Sequence, residues 1–83
     1  MERFEVGMLA KSEAGHDKDN VYVIIAMDDS YVYLADGRVK TVEKPKKKKY
    51  KHIQIIRKIN EDISVTDNVA IKRILKLYNR EEA

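Results

Sequence analysis

The chain contains no cysteine, which excludes a disulfide framework, a thiolate metal site and a thiol nucleophile. It holds no apolar run near the roughly 18 residues needed to cross a bilayer. Its first residues, Met1-Glu2-Arg3-Phe4-Glu5, also lack the apolar stretch of a signal peptide. A cytoplasmic location is the resulting expectation. Glycine is scarce, at three residues, and they assemble no phosphate-cradling loop. Paired histidines at metal-ligand spacing and a serine with an evident base partner are missing too. The pattern is that of a binding protein and not an enzyme, with no cofactor, metal or small-molecule substrate expected. The adjacent acids Asp28-Asp29 and Glu81-Glu82 read as solvated carboxylates of a turn and a tail. Eighty-three residues make one domain with a small core, and without disulfides its stability rests on packing.

What the chain does hold is a concentration of positive charge. From Arg38 to Lys58 there are ten Lys/Arg and one acid, a local balance of +9. The other 62 residues carry seven basic and thirteen acidic side chains, a balance of −6, so a formal net charge of +3 hides a dipolar molecule. The densest part is Lys44-Pro45-Lys46-Lys47-Lys48-Lys49-Tyr50-Lys51-His52. Basic clusters of this kind are a footprint of polyanion binding; a solubilising tail is the competing reading. The run lies between two apolar segments, so it reads as a loop held at both ends. Pro45, the single proline, forces Lys44 towards an extended backbone and removes a donor, which stops any preceding strand near Val42 or Glu43. Lysines crowded on a tethered loop repel one another, a cost kept most easily where a partner neutralises it.

Val6 to Lys11 is a short apolar run, followed by turn formers from Ser12 to Asn20. Val21-Tyr22-Val23-Ile24-Ile25-Ala26-Met27 is β-branched and aromatic enough for a strand buried at least partly on both faces. Asp28-Asp29-Ser30 reads as a tight turn and Tyr31-Val32-Tyr33-Leu34-Ala35 as the antiparallel return. Asp36-Gly37 is a hairpin signal, and Arg38-Val39-Lys40-Thr41-Val42 alternates like a half-exposed strand. Ile53-Gln54-Ile55-Ile56 makes a fifth. Five short strands with tight turns suggest a small sheet closed into a barrel. At the C-terminus Ile71, Ile74, Leu75 and Tyr78 fall on one stripe of an amphipathic helix over residues 67–79. Ser64-Val65-Thr66-Asp67 has capping-box spacing ahead of it, with Thr66 or Asp67 as alternative caps. The expected organisation is a barrel over residues 1–60 and a helical extension over 61–83 packed on it.

These residues resemble the KOW domain family. The stretch from Val6 through Gly7, the loop around Gly15 and the strand to Ile25 looks like the KOW motif: a glycine opening, an apolar strand, a basic glycine-containing loop and a second apolar strand. Asp28-Asp29-Ser30-Tyr31-Val32-Tyr33-Leu34, Asp36-Gly37 and the basic run ending in His52-Ile53 are similar to the ribosomal protein "fourteen-e" family and its small bacterial relatives. The resemblance covers roughly residues 4–56. It implies a five-stranded SH3-like barrel that binds RNA, ribosomal RNA or the large ribosomal subunit in particular. One departure is that Asn20, or Asp19 beside it, stands where relatives often have a second loop glycine; asparagine tolerates the left-handed region that such a turn uses.

The candidate RNA-binding residues are Lys11, Gly15, His16, Lys18, Arg38, Lys40, Lys44, Lys46, Lys47, Lys48, Lys49, Tyr50, Lys51 and His52. Each has a plainer reading. Gly15 permits a tight turn, and Lys11, His16 and Lys18 are ordinary surface residues unless they extend a positive face. Tyr50 either stacks on a base or ribose or packs against the barrel rim, and His52 either stacks its ring or, protonated, contacts a phosphate, or is hydrogen-bonded at a strand start. Tyr22, Tyr31 and Tyr33 read as core or sheet-surface residues. Lysine is a flexible point charge, suited to neutralising a backbone and not to reading a sequence. The alternative function is a protein–protein interaction module using barrel and helix. Binding to an anionic membrane surface is weakened because no strongly apolar residue flanks the lysines.

Overall fold

The computed structural model describes residues 4–16, 18–57 and 65–82. Strands β1 (Leu9–Ser12), β2 (Val21–Met27), β3 (Tyr31–Ala35), β4 (Lys46–Lys49) and β5 (Ile53–Arg57) form one sheet in the order β4-β3-β2-β1-β5, and helix α1 (Asn68–Glu82) follows. Every strand pair is antiparallel. The protein is thus mainly β with a C-terminal helix. β2 and β3 begin and end where their apolar runs do, because a β-branched run bounded by turn formers leaves little choice of period or end point.

The three central strands bury side chains on both faces. Tyr22 and Ile24 of β2, Met8 and Ala10 at β1, and Val32 and Leu34 of β3 gather with Ile53 in one apolar cluster, which Phe4, Tyr50 and Ile55 border. Leu9, Val23 and Ala35 point to the opposite face and meet Ile71 and Leu75 of α1. Curvature covers the first cluster. Five strands about 4.8 Å apart would hold flat-sheet edges about 19 Å from each other. Yet β4 and β5, the two edges, are joined only by a 3-10 turn, Tyr50–His52, and even a fully extended link of that length spans only about 14 Å. The sheet therefore curls over the first cluster. Its ladder still ends at β4 and β5, which do not pair with each other, so the expected barrel is at the level of strand pairing an open, curled sheet.

α1 covers the second cluster. Asp67 caps it: the Asp67 carboxylate accepts the Val69 N–H at 2.9 Å and its carbonyl accepts the Ile71 N–H at 3.1 Å. Of the two caps the sequence left open, Asp67 is the one used; Ser64, the start of the expected box, lies outside the described residues. The helix runs three residues beyond its expected end at Asn79, a frayed-boundary difference of the usual size. None of the described helices is long and apolar enough to cross a membrane.

Two expectations fail together. Residues 38–42 form no strand. The Asp36 carboxylate captures the N–H groups of Arg38 and Lys40 at 2.8 and 2.9 Å. The N–H groups of Asp36 and Gly37 both donate to the Lys40 carbonyl, and the Val42 N–H donates to the Asn68 side chain at 2.8 Å. Donors that a ladder would need are thereby used locally, and Asp36-Gly37 opens a ten-residue connection instead of a two-residue hairpin. The second partner of β3, beside β2, is the lysine run, a strand where a loop was expected. Lysine stems supply enough apolar length for a half-buried edge, and charged ends on an edge strand oppose further pairing. Gly37 is required here: its φ is +80°, and a Cβ would overlap the Asn68 carbonyl oxygen at the start of α1. Ile71 is fully buried and Leu77 is 46% exposed on the same helix. Ile71→Ala is expected to cost about 2–5 kcal/mol in urea denaturation, against within about 0.5 kcal/mol for Leu77→Ala.

Candidate polyanion-binding site

The β3–β4 register decides where each lysine points. Lys46 faces Leu34 and Lys48 faces Val32, both core residues, whereas Lys47 faces Tyr33 and Lys49 faces Tyr31. Opposed residues share a face, so the run divides: Lys46 and Lys48 are half-buried on the inner side, and Lys47 and Lys49 are exposed on the outer side. The expected single cationic loop is thus an edge with two sides. Lys48 has a structural role, since its Nζ donates to the Ala14 carbonyl at 2.8 Å. Lys47 places its Nζ 4.2 Å from the centroid of the Tyr31 ring, a cation–π contact of about 0.5–1 kcal/mol at an exposed site.

The Lys48 bond brings the Gly15 loop to the lysine strand across 34 residues of chain. That loop is closed at its neck, where the Ser12 N–H donates to the Asn20 carbonyl and the Asp19 N–H to the Ser12 carbonyl. Gly15 at φ +83° and Asp19 at φ +73° are left-handed. Of the two neighbours Asp19 and Asn20, it is Asp19 that takes the left-handed conformation. The short polar side chain of Asp makes this conformation accessible. Gly15, His16 and Lys18 are exposed on this loop. The His52 carbonyl accepts the Glu13 N–H at 2.8 Å, which ties the 3-10 turn to the same neck.

Other candidates sit apart. Lys11 is half-buried on β1, three strands from β4 in the sheet order. Arg38, Lys40 and Lys44 lie on the 36–45 connection beside the start of α1, where Asn68 binds both the Val42 N–H and the Glu43 carboxylate. That contact, with the Asn68 amide as chief donor, holds the Glu43 carboxyl below its ordinary range. Tyr50 is engaged in packing: its ring meets Phe4 edge-on at 5.0 Å and its hydroxyl donates to the Asp28 carbonyl. Lys51 is exposed and His52 half-buried on the 3-10 turn. Among the described residues no three His, Cys, Asp or Glu side chains gather as a metal site.

Asp28, read from the sequence as a solvated carboxylate of a tight turn, has a larger structural role. Its carboxylate accepts the N–H groups of Ser30 and Tyr31 at 2.8 and 2.7 Å and the Tyr33 hydroxyl at 2.8 Å. The signal was present as an Asp-Asp-Ser turn, in which the first acid commonly binds amides two and three residues on. These bonds, the Ser30 amide first, lower the Asp28 pKa, and Lys47 adds attraction. The same contact raises the pKa of Tyr33, because its phenolate would face a carboxylate.

A scan against protein-family models finds no match for this chain, and a search of curated proteins finds none.

A depressed folded-state pKa means that Asp28 stabilises the fold fully above its unfolded-state pKa and loses that effect as pH falls through the lower folded value. Asp28→Ala is therefore expected to melt below the parent at pH 7, and the gap should narrow at acid pH. A gap that stays constant down to pH about 2 would show that the ionised carboxylate contributes nothing.

Proposed function

We propose that the protein is an RNA-binding module, an SH3-like barrel left open between its edge strands, that engages the sugar-phosphate backbone of ribosomal RNA in the cytoplasm, on the large subunit or during its assembly. The KOW resemblance supplies the RNA and the ribosome in this reading. The observation that carries it is the lysine edge: Lys47 and Lys49 project from one side of β4, and the same strand holds the Gly15 loop through Lys48. A short β-scaffold thus presents fixed cations without needing any of them in its core. The strand order β4-β3-β2-β1-β5 and the 3-10 turn between the edges also suit a small curled barrel. Catalysis has no place in this reading.

The competing module, one that recognises an acidic protein segment, draws on the open edge of β4, to which an extended peptide could add a strand. Four consecutive lysines guard the edge against indiscriminate pairing, and a phosphate chain needs only their charges and no main-chain ladder. If Lys47, Lys49 and Lys51 each neutralise one phosphate, affinity falls by roughly 40-fold between about 50 and 200 mM salt. Lys47→Ala with Lys49→Ala should weaken binding to a ribosomal RNA fragment and reduce the salt slope by about 2, while the fold persists with a melting temperature lowered by no more than about 8 °C, the share of the Lys47–Tyr31 contact. Lysate sedimentation with and without nuclease provides the second arm. Co-migration with ribosomal particles that nuclease leaves intact, or an unaltered salt slope in the double variant, would count against RNA as the partner.

A further inference from the structure

We propose that the tyrosine pair on the outer face of β3 is a stacking platform for unpaired nucleotides, so that the RNA segment taken at this face is single-stranded. The inference rests on the RNA-binding reading and adds the kind of RNA. Tyr31 and Tyr33 are two residues apart on one strand, so both rings stand on the same face, about 7 Å apart along it. α1 covers the other half of this face, over Val23 and Ala35. The half with the tyrosines lies past a register shift in β2 between Ile24 and Ala26, beyond which Ala26, opposite Tyr33, is exposed. Across the ladder Lys49 pairs with Tyr31 and Lys47 with Tyr33. Two half-buried rings are thus flanked by two exposed ammonium groups.

An unpaired nucleotide carries a flat base face and a phosphate, and a ring beside a cation matches both. A duplex stacks its bases on one another and offers phosphates alone. The platform is also held in position. The Tyr33 hydroxyl is fixed at 2.8 Å on the Asp28 carboxylate, which the Ser30 and Tyr31 amides anchor. Lys47 shields one face of Tyr31 from 4.2 Å. An exposed cation–π contact is weaker than stacking of a base on an aromatic ring, so an arriving base displaces the ammonium, which then serves the phosphate. Asp28 and Asp29 bound the platform on one side with negative charge, which directs the strand towards β4. Tyr50, with its ring on Phe4 and its hydroxyl on the Asp28 carbonyl, takes no part.

The test measures, by fluorescence anisotropy at one salt concentration, affinity for an unstructured RNA oligonucleotide and for a blunt RNA duplex of equal length. Tyr31→Leu keeps apolar bulk on the sheet and removes the ring; Tyr31→Phe keeps the ring. The leucine variant is expected to lose about 5- to 100-fold in single-strand affinity while duplex affinity changes less than about twofold, and the phenylalanine variant to bind as the parent does. Thermal melting of each variant confirms that the fold persists. Parent-like single-strand binding by Tyr31→Leu, or equal losses on both RNAs, overturns the stacking platform. If in that case Lys47→Ala with Lys49→Ala still weakens both RNAs, the RNA-binding reading survives it. A parent protein that binds neither RNA but captures a polyglutamate peptide removes both.

Discussion

Burial of the central strands on both faces is the constraint from which the rest of the structure follows. Tyr22 and Ile24 point one way and Val23 the other, and all three are essentially inaccessible. The described residues form one sheet, so each face is covered by a different device. The sheet curls over the first cluster, and α1 lies on the second with Ile71 and Leu75 inward. Burying a side chain of that size stabilises by about 1.5–3 kcal/mol, enough for two or three residues to hold a helix that would be marginal alone. Near the 28–30 turn the outer face is exposed at Ala26, and there Tyr31, Tyr33, Lys47 and Lys49 collect.

Polar side chains then set the connections. Asp28, Asp36, Asp67 and Asn68 each accept main-chain N–H groups that the ladder or helix leaves unpaired, and an unmet donor in such a place would cost more than a typical hydrogen bond contributes. Asn68 joins the start of α1 to the 36–45 connection, and Gly37 allows the approach because it has no Cβ. Fixing that connection delivers Pro45 and the lysines to the open side of β3. The candidate site therefore depends on the helix at a distance: α1 anchors the connection, the connection places β4, and β4 orients its cations.

The apolar runs of β2, β3 and β5 and the stripe of α1 were legible because their period and their flanking turn formers agree. The lysine run was not, since an edge strand needs no apolar alternation and four identical residues carry no period. Residues 38–42 misled in the opposite sense: Val39, Thr41 and Val42 are β-branched as in a strand, but Val39 is 79% exposed and the amides are held by Asp36 and Asn68. Among the candidate site residues, the Gly15 loop and β4 meet through Lys48, a contact between segments 34 residues apart. Tyr50, weighed as a stacking residue, is occupied by Phe4 and Asp28. The tyrosines beside the outward lysines are those of β3, both half-buried, whose sequence pattern matches an ordinary sheet surface.

Composition and periodicity alone determined a small, mainly β protein with one amphipathic helix and a basic segment in its second half, since these follow from local preferences and charge counts. Only the tertiary structure decided that the basic segment is a strand, which of its lysines face outward, and which aromatic rings stand beside them. The reason is that strand alternation assigns faces only after the register is known, and the register of β4 against β3 is set by a connection held at the far end by α1.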